Sequence, residues 1–502
     1  MSVLEERDPK RIGILVVAYN AASTLAKVLD RIPPEFAGRV SRILVCDDHS
    51  QDSTYLIGLG YQQNVPHLPI TVIRHARNLG YGGNQKAGYR WAIDHGLDII
   101  VLLHGDGQYA PEYLPEIVAP LERGECDCVL GSRLIEKGAA RRGGMPLYKY
   151  AGNRILTTAE NTLVGTSLSE WHSGYRAYSV EALGALPFEE NDDGFSFDTQ
   201  IIVQLIESGH RILEIPIPTY YGDEVCYVNG IGYARDVITH VARYRAHKMG
   251  FGSGETAFAS QAYDLKTDDE SSHGVVLSWL AETKPLKVLD LGCSDGSLGE
   301  RLRKLGHDVT GVDADELPGV ADRVDRFVLG DLETGVPTAA GDGYGVVVLA
   351  DVLEHVRHPE VLLRDACARV GPGGYVVASI PNAVHWYPRL RMLLGRFDYD
   401  RRGILDASHL RFFTRRSFER LARRAGCSVA RTQPVGLPLE ALDRGGTSVS
   451  GRFPMRMLRF VDSQLSKAWP NLFAYQYVFR LEPHVAAGSG GDGGDGGDGQ
   501  GK

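Results

Sequence analysis

Two strand-to-turn segments carry the residues of this 502-residue chain that are best suited to chemistry. In the first, an apolar run leads into the acidic pair Asp47–Asp48. In the second, an apolar run leads through Asp290 into a turn that contains Gly292 and Gly296. Ligands of open α/β sheets bind outside the carboxyl ends of the strands, where small residues let them approach the backbone. Because the two patterns differ, the sequence predicts two different nucleotide sites, and therefore two enzymes in one chain.

Polar residues also follow two other predicted strands in the first half. One strand ends at Ala18-Tyr19-Asn20, and another runs into His104-Gly105-Asp106-Gly107-Gln108. A carboxylate at Asp48 can accept hydrogen bonds from a base or a ribose. A strand-end carboxylate on a glycine-flanked turn, as at Asp106, can hold a divalent metal against a diphosphate. Oxygen ligands of this kind suit Mg²⁺ or Mn²⁺.

Seven separated motifs occur in order along the first half of the chain. They are Val16-Val17-Ala18-Tyr19-Asn20, Asp47-Asp48-His49-Ser50-Gln51-Asp52, Arg77-Asn78-Leu79-Gly80, Gly105-Asp106-Gly107-Gln108, Gly131-Ser132-Arg133, Ser173-Gly174-Tyr175-Arg176-Ala177 and Phe197-Asp198. Over residues 11–222 this set resembles the family 2 glycosyltransferases, in particular the dolichyl- or polyprenyl-phosphate sugar synthases. The resemblance implies a GT-A fold and a nucleotide-sugar donor. The implied donor-binding residues are Ala18, Tyr19, Asn20, Asp48, Asn78 and Gly80.

The same resemblance implies a metal at an Asp-x-Asp motif, whose first Asp is replaced here by His104. Asp106 is the second Asp, and Gln108 is the further ligand. Imidazole can ligate Mn²⁺ but suits Mg²⁺ poorly, so the identity of the metal and the dependence on one stay open. The resemblance also implies that Asp198 is catalytic and that two arginines contact phosphates, a contact for which the guanidinium group is well shaped. These arginines are Arg133 and Arg176.

Each of these residues also has a plainer interpretation. The turn at residues 47–50 can be a helix cap, because Asp and Ser are common capping residues. Asp106 can be a solvated loop carboxylate, and Arg133 can be one partner of a structural ion pair. The ordered set of seven motifs favours the functional interpretation.

The glycine turn of the second half opens a predicted helix with apolar residues at 298, 302 and 305. The next predicted strand ends at Asp313, where an acidic residue can bind ribose hydroxyls. Dinucleotide oxidoreductases share that layout. Three features favour S-adenosylmethionine instead: the Asp-x-Gly-x-x-x-Gly loop, a further strand-end pair, and an apolar run that leads into an acidic segment with a histidine. The pair is Asp331-Leu332, and the segment is Asp351-Val352-Leu353-Glu354-His355.

Together these motifs resemble the class I methyltransferases over residues 273–432, and they are similar to small-molecule O-methyltransferases of the ubiquinone-biosynthesis type. Segments 379–382, 403–406 and 409–414 resemble methyltransferases found with surface-polysaccharide genes. The resemblance implies cofactor contacts from three strand ends. Asp290, Gly292 and Gly296 lie around the methionine part, Asp313 on the ribose and Asp331-Leu332 beside the adenine, with Cys293 and Asp351 also in the cofactor site.

Methyl transfer to a hydroxyl needs a group that takes the proton, and histidine has a suitable pKa. His355 and His409 are the leading candidates, ahead of His385. Two alternatives stay open. Glu354-His355 can be a cap and hinge over the cofactor, and His409 can form a hydrogen bond within the core.

The alternation of strands and helices predicts an α/β protein with two doubly wound domains. The first is a GT-A-type nucleotide-sugar domain, and the second is a Rossmann-like class I methyltransferase domain. The predicted divisions are residues 1–247 for the glycosyltransferase, 248–262 for a linker, 263–485 for the methyltransferase with a C-terminal extension, and 486–502 for a disordered Gly/Asp tail. Residues 435–481 are mixed and aromatic, and their pattern assigns them no element.

The composition is that of a globular protein, with 43% hydrophobic and 23% charged residues. A net charge of −9 gives no reason to expect a nucleic-acid partner. Seven scattered cysteines predict reduced thiols in a cytoplasmic protein. Residues 1–11 lack the apolar core of a signal peptide, and no apolar run is long enough to cross a bilayer. The basic and aromatic segment 141–150 predicts either peripheral membrane contact or an ordinary acceptor loop.

The sequence as a whole predicts a bifunctional bacterial enzyme. The first domain transfers a sugar from a nucleoside-diphosphate sugar, with inversion, to a polyprenyl phosphate or a glycan. The second uses S-adenosylmethionine to methylate a hydroxyl of a glycan or a small molecule. Two alternatives stay open: the activities can act on different molecules of one pathway, or the first domain can be a non-catalytic module that binds a sugar or a partner, as His104 hints.

Overall fold

The computed structural model describes residues 9–219, 230–252, 271–400, 402–439 and 453–484. The chain divides into two compact units, and the main division falls between Ala262 and Tyr263. The last helix before that division ends at Lys248, where the predicted linker begins. Most of the predicted linker and the whole Gly/Asp tail lie outside the described residues, so the domain boundaries stay a prediction.

The first unit is built on a sheet of seven strands within the described residues. They are β1 (Ile12–Ala18), β2 (Val40–Asp47), β3 (Ile70–Arg74), β4 (Ile99–His104), β5 (Cys128–Ser132), β6 (Arg176–Ser179) and β7 (Ile212–Pro216). Their order is β3-β2-β1-β4-β6-β5-β7. The pairs β1–β2, β1–β4, β2–β3 and β5–β7 are parallel, whereas β6 runs antiparallel to both β4 and β5. The predicted doubly wound, mostly parallel sheet is therefore confirmed.

Both faces of this sheet are covered, which explains why its central strand is apolar throughout. All seven residues of β1 are buried. Ile14 and Val16 belong to the core on one face, whereas Leu15 and Val17 belong to the core on the other. Alternate residues of a strand point to opposite faces, so an uninterrupted apolar run is what a two-sided core requires.

Helices connect the strands and form the two covering layers. They are α1 (Leu25–Asp30), α2 (Pro34–Ala37), α3 (Thr54–Asn64), α4 (Gly80–Asp94), α5 (Leu114–Glu122), α6 (Ala139–Arg142), α7 (Leu147–Val164), α8 (Val180–Gly184), α9 (Phe197–Glu207) and α10 (Gly230–Lys248). Single 3₁₀ turns span Pro111–Tyr113 and Phe188–Glu190.

The second unit also has a sheet of seven strands in the part of the chain that is described. They are β8 (Lys287–Leu291), β9 (Asp308–Asp313), β10 (Arg326–Leu329), β11 (Tyr344–Ala350), β12 (Val370–Pro381), β13 (Cys427–Val435) and β14 (Gln476–Pro483), in the order β10-β9-β8-β11-β12-β14-β13. The first five are mutually parallel, and β14 is antiparallel to both β12 and β13. This is the predicted Rossmann-like sheet with an antiparallel edge.

The segment that the sequence pattern did not assign holds the last strand. β14 inserts between β12 and β13, so the strand that comes last in the chain is not at the edge of the sheet. The helices of this half are α11 (Ser272–Ala281), α12 (Ser297–Lys304), α13 (Val320–Arg323), α14 (Pro359–Ala368), α15 (Trp386–Leu393), α16 (Arg415–Arg424), α17 (Phe453–Ala468) and α18 (Pro470–Phe473), with 3₁₀ turns at Leu332–Thr334 and Thr338–Ala340.

Two details of the second unit differ from the sequence-based expectation. α12 buries Leu298 and Leu302 as predicted, but Leu305 caps the end of the helix and is 43% exposed. Cys367 and Cys427 form a disulfide between α14 and the start of β13, so the prediction of seven reduced thiols is wrong for this pair. The two cysteines are separated by 60 residues, and their spacing in the sequence does not reveal the contact.

The packing of α4 on β1 can be tested at Gly88. A Cβ there would lie 2.3 Å from Leu15 Cδ2 in the core, so Gly88→Ala should destabilise the first unit by about 1–3 kcal/mol through overpacking. A Cβ at Gly60 in α3 would meet nothing within 4 Å, so Gly60→Ala should raise stability by about 0.4–1 kcal/mol. Urea unfolding of the two variants measures both effects. Equal free energies of unfolding would contradict this packing.

Candidate active sites

Asp48 ties the end of β2 to the start of α4. It is buried, and its two carboxylate oxygens accept hydrogen bonds from the backbone amides of Leu79 (2.7 Å) and Gly80 (3.0 Å). The Asn78 side chain donates to the backbone oxygen of Asp48 at 3.2 Å. Burial raises the pKa of Asp48, although the two amides act against that rise. The structure therefore brings together three of the predicted donor-binding residues, and Asp48 binds the amides at the start of α4 rather than capping the helix that follows its own turn.

The end of β1 is joined to the same region through Asn20. The backbone amide of Asn20 donates to Ser50 Oγ at 2.9 Å, and its side-chain oxygen accepts from the amide of Gln51 at 2.8 Å. Asn20 has a positive φ of 51°. The preceding Tyr19 is 40% exposed at the carboxyl edge of the sheet, next to the buried Ala18. Ala18, Tyr19 and Asn20 thus share one edge with Asp48.

A buried ion pair lies beneath this edge. Arg176 is fully buried, and its guanidinium lies 3.3 Å from Asp198 Oδ2. Its nitrogens also donate to three backbone oxygens, those of Trp171, Ser173 and Asp198, at 2.8–3.1 Å. The expected phosphate contact of Arg176 does not fit this geometry, because the side chain is enclosed and bonded to protein acceptors. A positioning role for Arg176 agrees better with its burial.

Two further side chains hold Asp198, and sequence reasoning missed both. Tyr81 donates its hydroxyl to Asp198 Oδ2 at 3.1 Å, and Gln85 donates to Oδ1 at 3.2 Å. Both lie on the first turns of α4, directly after the Arg77–Gly80 motif. Their spacing of four residues, one helical turn, was the available signal.

Arg133 is also engaged with protein. Its side chain and its backbone amide donate to the carboxylate of Glu170, including Nε to Oε1 at 2.9 Å and N to Oε2 at 2.7 Å. Burial acts to raise the pKa of Glu170, but the Arg133 guanidinium outweighs it and holds the pKa below its usual value. The structural ion pair anticipated as an alternative is present. Arg133 nevertheless keeps about a tenth of its side chain exposed, beside the loop that follows β5.

A cavity of about 340 Å³ opens beside Arg133. Its lining combines two guanidinium groups with a proline-rich strand end: Tyr113, Ser132, Arg133, Glu136, Ala139, Arg142, Pro216, Ile217, Pro218 and Thr219. A pocket with this lining can receive an anionic or phosphorylated group at the rim of the sheet.

His104, at the end of β4, is partly buried between the rings of Tyr81 and Tyr109. Its Nε2 lies 3.2 Å from the hydroxyl of Tyr81. Because that hydroxyl already donates to Asp198, the imidazole must carry its proton on Nε2, which leaves only Nδ1 able to ligate a metal. Burial lowers the pKa of His104, and nearby Arg176 adds to the effect, so the ring is neutral. Of the three predicted metal ligands, His104 is the one whose ligating atoms are reduced to a single ring nitrogen by its contacts in the fold.

Asp106 and Gln108 sit on the turn after β4. The backbone amide of Gln108 donates to Asp106 Oδ1 at 3.0 Å, and Gly107 between them has a φ of 80°. This turn leaves Asp106 partly exposed at the carboxyl edge of the sheet. A divalent cation would therefore have one protein carboxylate here, and it would take its other ligands from a diphosphate or water, as Mg²⁺ and Mn²⁺ commonly do.

The glycine turn of the second unit has the features that a nucleoside ligand needs. Gly292 and Gly296 have φ values of 77° and 76°. The amide of Ser294, between them, donates to Asp313 Oδ2 at 2.7 Å, so the ends of β8 and β9 are joined. Asp290 is buried beneath the turn, and its Oδ2 has no hydrogen-bond partner among the described residues. An orphaned carboxylate oxygen in this position fits a ligand with a cationic amino group.

Burial, with the charge of Asp313 adding to it, raises the pKa of Asp290 to about 7. The turn itself is closely packed, because a Cβ on Gly292 would lie 2.6 Å from Val352 Cγ2. Cys293 is buried against the neighbouring strand, where its Sγ lies 2.8 Å from the place of a Cβ on Gly311. The Cys293 side chain therefore supports the turn from below rather than lining its open side.

The other predicted cofactor residues follow β10 and β11. Asp331 caps the short turn Leu332–Thr334 by accepting from the amide of Glu333 at 2.9 Å, with Leu332 half-buried beside it. Asp351 has a φ of 58° and accepts hydrogen bonds from Gln476, which reaches both carboxylate oxygens at 3.0 Å. Gln476 belongs to β14, and sequence reasoning missed it because that strand was not recognised.

The three candidate histidines separate into a pair and a lone residue. The rings of His355 and His409 lie edge to face with centroids 4.8 Å apart, and Glu354 is beside them. His385 is instead buried at the start of α15, where its Nδ1 accepts from the amide of Tyr387 at 3.4 Å. Burial lowers the pKa of His385 to about 4. The ranking of His355 and His409 above His385 stays a prediction.

Comparison with known proteins finds a family match in each half of the chain. Residues 13–186 match the family described as glycosyl transferase family 2, and residues 267–432 match a methyltransferase domain. The chain joins two transferase domains. The predicted glycosyltransferase and methyltransferase classes, and the predicted enzyme, are confirmed at this level.

Two proteins similar to the first half of the chain have a polyprenyl-type lipid in their names. The UDP-N-acetylglucosamine–dolichyl-phosphate N-acetylglucosaminyltransferase of Methanococcus voltae is 28% identical over 222 residues, covering 42% of this chain and 86% of its own. The polyprenol monophosphomannose synthase of Mycolicibacterium smegmatis is 26% identical over 212 residues, covering 42% of this chain and 78% of its own. Among solved structures, glucosyl-3-phosphoglycerate synthase from Mycobacterium tuberculosis with Mn²⁺, UDP and glucosyl-3-phosphoglycerate covers 47% of this chain and 80% of its own, with 19% identity and a TM-score of 0.36.

The state of Asp290 predicts that a ligand with a cationic amino group will release protons. With a pKa of about 7, the carboxyl is about half protonated at pH 7, and a cation beside it favours the charged form. S-adenosylhomocysteine binding at pH 7 should therefore release about half a proton per chain. Calorimetry in buffers of different ionisation enthalpy measures that number.

Asp290→Asn should abolish the proton release, whereas Asp308→Asn, at the exposed start of β9, should leave it unchanged. Proton uptake by the wild-type chain, or release that survives in Asp290→Asn, would contradict this assignment.

Proposed function

We propose that the chain is a bifunctional bacterial enzyme that transfers a sugar with one domain and a methyl group with the other. The observation that carries the proposal is the juxtaposition, in each unit, of candidate ligand-binding residues at the carboxyl edge of its sheet. Asp48 and Asp106 stand at the first edge, and Asp290 and Asp313 stand at the second. Each set matches the chemistry of a different nucleotide.

In the first domain, the donor is a nucleoside-diphosphate sugar and the transfer is inverting. The acceptor oxygen attacks the anomeric carbon as the bond to the diphosphate breaks, so negative charge grows on the leaving group. Asp106 would hold a divalent cation, Mg²⁺ or Mn²⁺, against that diphosphate, and Gln108 or His104 Nδ1 would complete its ligands. The cation supplies charge stabilisation to the leaving group.

The acceptor of the sugar is a polyprenyl phosphate or a glycan. The two relatives with dolichyl-phosphate and polyprenol acceptors in their names support the lipid. In the cavity beside Arg133, the guanidinium of Arg142 is available for a phosphate, whereas Arg133 is paired with Glu170 and Glu136 adds a carboxylate to the lining. Asp198 is held at the neighbouring rim by Arg176 and Tyr81, where it would orient the acceptor or its nucleophilic oxygen.

In the second domain, the methyl donor is S-adenosylmethionine. Asp290 would accept from the amino group of its methionine part and Asp313 from its ribose, with Asp331 and Leu332 beside the adenine and Asp351 at the next strand end. The oxygen of the acceptor attacks the methyl carbon, a C–O bond forms as the C–S bond breaks, and S-adenosylhomocysteine leaves. The hydroxyl proton must be removed, and His355 and His409 stand beyond β11, at the same edge of the sheet.

Joining the two domains raises the concentration of one product at the other site, so the acceptor of the methyl group is proposed to be the glycan that the first domain builds. A second candidate is a methyltransferase whose first domain binds a sugar or a partner without catalysis. The replacement of the first Asp of the metal motif by His104 favours it, because the Nε2 of His104 is bonded to Tyr81 and only one ring nitrogen is left for a metal. Hydrolysis of nucleotide sugars in the presence of Mn²⁺ separates the two candidates.

Asp106→Ala should reduce sugar transfer at least about a hundredfold while methyl transfer continues, because it removes the carboxylate that stabilises the leaving group. Mass spectrometry of products from a panel of nucleotide sugars with labelled S-adenosylmethionine measures both activities in one reaction. Asp94→Ala, on the exposed side of α4, is the matched control and should leave both unchanged. Full sugar transfer by Asp106→Ala would remove the proposed cation site.

Membrane contact of the first domain is proposed to be peripheral. No helix in the described ranges is both long and apolar enough to span a bilayer. On α7, Leu147, Tyr148 and Ile155 are 65–73% exposed, and the positively charged Arg154 is exposed beside them. An exposed apolar face with basic neighbours suits the surface of an anionic membrane.

The chain should therefore float with anionic liposomes at low salt and detach at high salt, because the attraction is partly electrostatic. Leu147→Glu together with Tyr148→Glu should weaken flotation at least about tenfold, whereas Leu56→Glu, at an exposed site of α3, should not. Absence of wild-type flotation at low salt would remove the membrane proposal and favour an ordinary acceptor loop.

A further inference from the structure

Glu354, His355 and His409 meet just beyond the carboxyl end of β11. One ligand atom of each side chain lies within 4.8 Å of those of the other two. Across the described ranges, this is the one group of three His, Cys, Asp or Glu side chains that could hold a metal ion. Two imidazoles and one carboxylate are a donor set that divalent transition metals commonly use in proteins.

Backbone hydrogen bonds hold the two segments of this cluster together. The carbonyl oxygen of Glu354 accepts from the amides of Leu410 at 2.8 Å and Arg411 at 2.9 Å. These residues directly follow His409, so the segment with the carboxylate and the segment with the second imidazole are joined by main chain. Metal sites bind tightly when the elements that carry their ligands are fixed before the ion arrives.

His409 is oriented as a ligand would be. Its Nδ1 lies 3.1 Å from the carbonyl oxygen of Ile404, and a carbonyl can only accept, so Nδ1 carries the proton and Nε2 keeps its lone pair. Metal-ligating histidines almost always make such a hydrogen bond through the other ring nitrogen.

We propose that Glu354, His355 and His409 bind one divalent cation, of the Mn²⁺ to Zn²⁺ class, next to the proposed methyl-donor site. Bonds from such an ion to nitrogen or oxygen are about 2.0–2.2 Å, so two ligands of one ion stand about 3–4 Å apart. The cluster is slightly wider than that, and His355, which is partly exposed, has room to move inward.

The position of the cluster defines what the cation would do. The strand order turns between β8 and β11, and ligands of open sheets bind at such a switch point. Asp290, Asp313 and Asp331 of the proposed cofactor site follow β8, β9 and β10, whereas the cluster follows β11 on the other side of the switch point, shortly after Asp351 at the end of that strand. The cation would therefore face the acceptor of the methyl group.

A six-coordinate ion with three protein ligands keeps three positions, enough for two neighbouring hydroxyls of a sugar ring and a water. The ion lowers the pKa of a bound hydroxyl, its proton passes to water, and the oxygen attacks the methyl carbon as the C–S bond breaks. The histidines then act by holding the ion and not as bases. This role rests on the proposed methyl transfer, whereas binding of the cation does not.

Mn²⁺ binding, counted by electron paramagnetic resonance on the whole chain, tests the site directly. The measurement is made in an Asp106→Asn background, which removes the proposed cation of the first domain. We expect one bound Mn²⁺ there, and at least a tenfold loss of affinity in Glu354→Gln and in His355→Ala. His358→Ala and Glu360→Gln, at neighbouring positions that do not belong to the cluster, are the matched controls and should bind as before.

S-adenosylhomocysteine affinity of the same variants reports whether the second domain remains folded, and His355→Ala, at a partly exposed position, guards against misfolding of the buried Glu354→Gln. Unchanged Mn²⁺ binding in both variants overturns the site. If Mn²⁺ binding depends on Glu354 but S-adenosylhomocysteine does not bind to the wild type, the cation site stands and the proposed methyl transfer fails. If chelation leaves methyl transfer at full rate, the role assigned to the cation is overturned.

Discussion

The constraint on which both domains depend is that each central sheet is buried on both faces. A strand such as β1, with seven buried residues, leaves no room for a charged side chain along its length. Polar groups are tolerated only where the strand ends and its backbone is no longer paired with a neighbour. Chemistry is thereby confined to one edge of each sheet. Asp48 and Asp106 stand on the first edge, and Asp290, Asp313 and Asp351 on the second.

The buried ion pairs of the first domain fix the positions of side chains at the rim of the sheet. Removing an ion from water costs several kcal/mol, and a buried pair persists only when further hydrogen bonds satisfy both partners. Arg176 and Asp198 meet that condition through three backbone oxygens and two neighbouring side chains, and Arg133 and Glu170 through a bonded amide. Both pairs join segments from different parts of the chain. Their effect is to hold the rim of the sheet rigid while Asp106 stays accessible.

Local patterns in the sequence predicted the strands and their polar ends well, because an apolar run and the residue after it are adjacent in the chain. The apolar run before Tyr19 and the run that leads through Asp290 are indeed the strands β1 and β8. What the patterns missed were partners distant in sequence, such as Glu170 for Arg133 and Gln476 for Asp351. The phosphate contact expected of Arg176 does not fit the structure for the same reason. A motif identifies the residue, but the burial of its side chain depends on segments that are distant in the sequence. The cluster of His355 and His409 was anticipated only as two separate candidates.

The placement of β14 has a consequence for synthesis of the chain. Among the described strands, β14 is the only neighbour of β13 and separates it from β12. On the ribosome, β12 and β13 emerge first and must wait about 40 residues for the strand that joins them, a delay of several seconds at about 5–20 residues per second. During that interval an apolar strand edge is unprotected, and such edges recruit other chains. The slow, vulnerable stage in making this protein should therefore fall in its second domain.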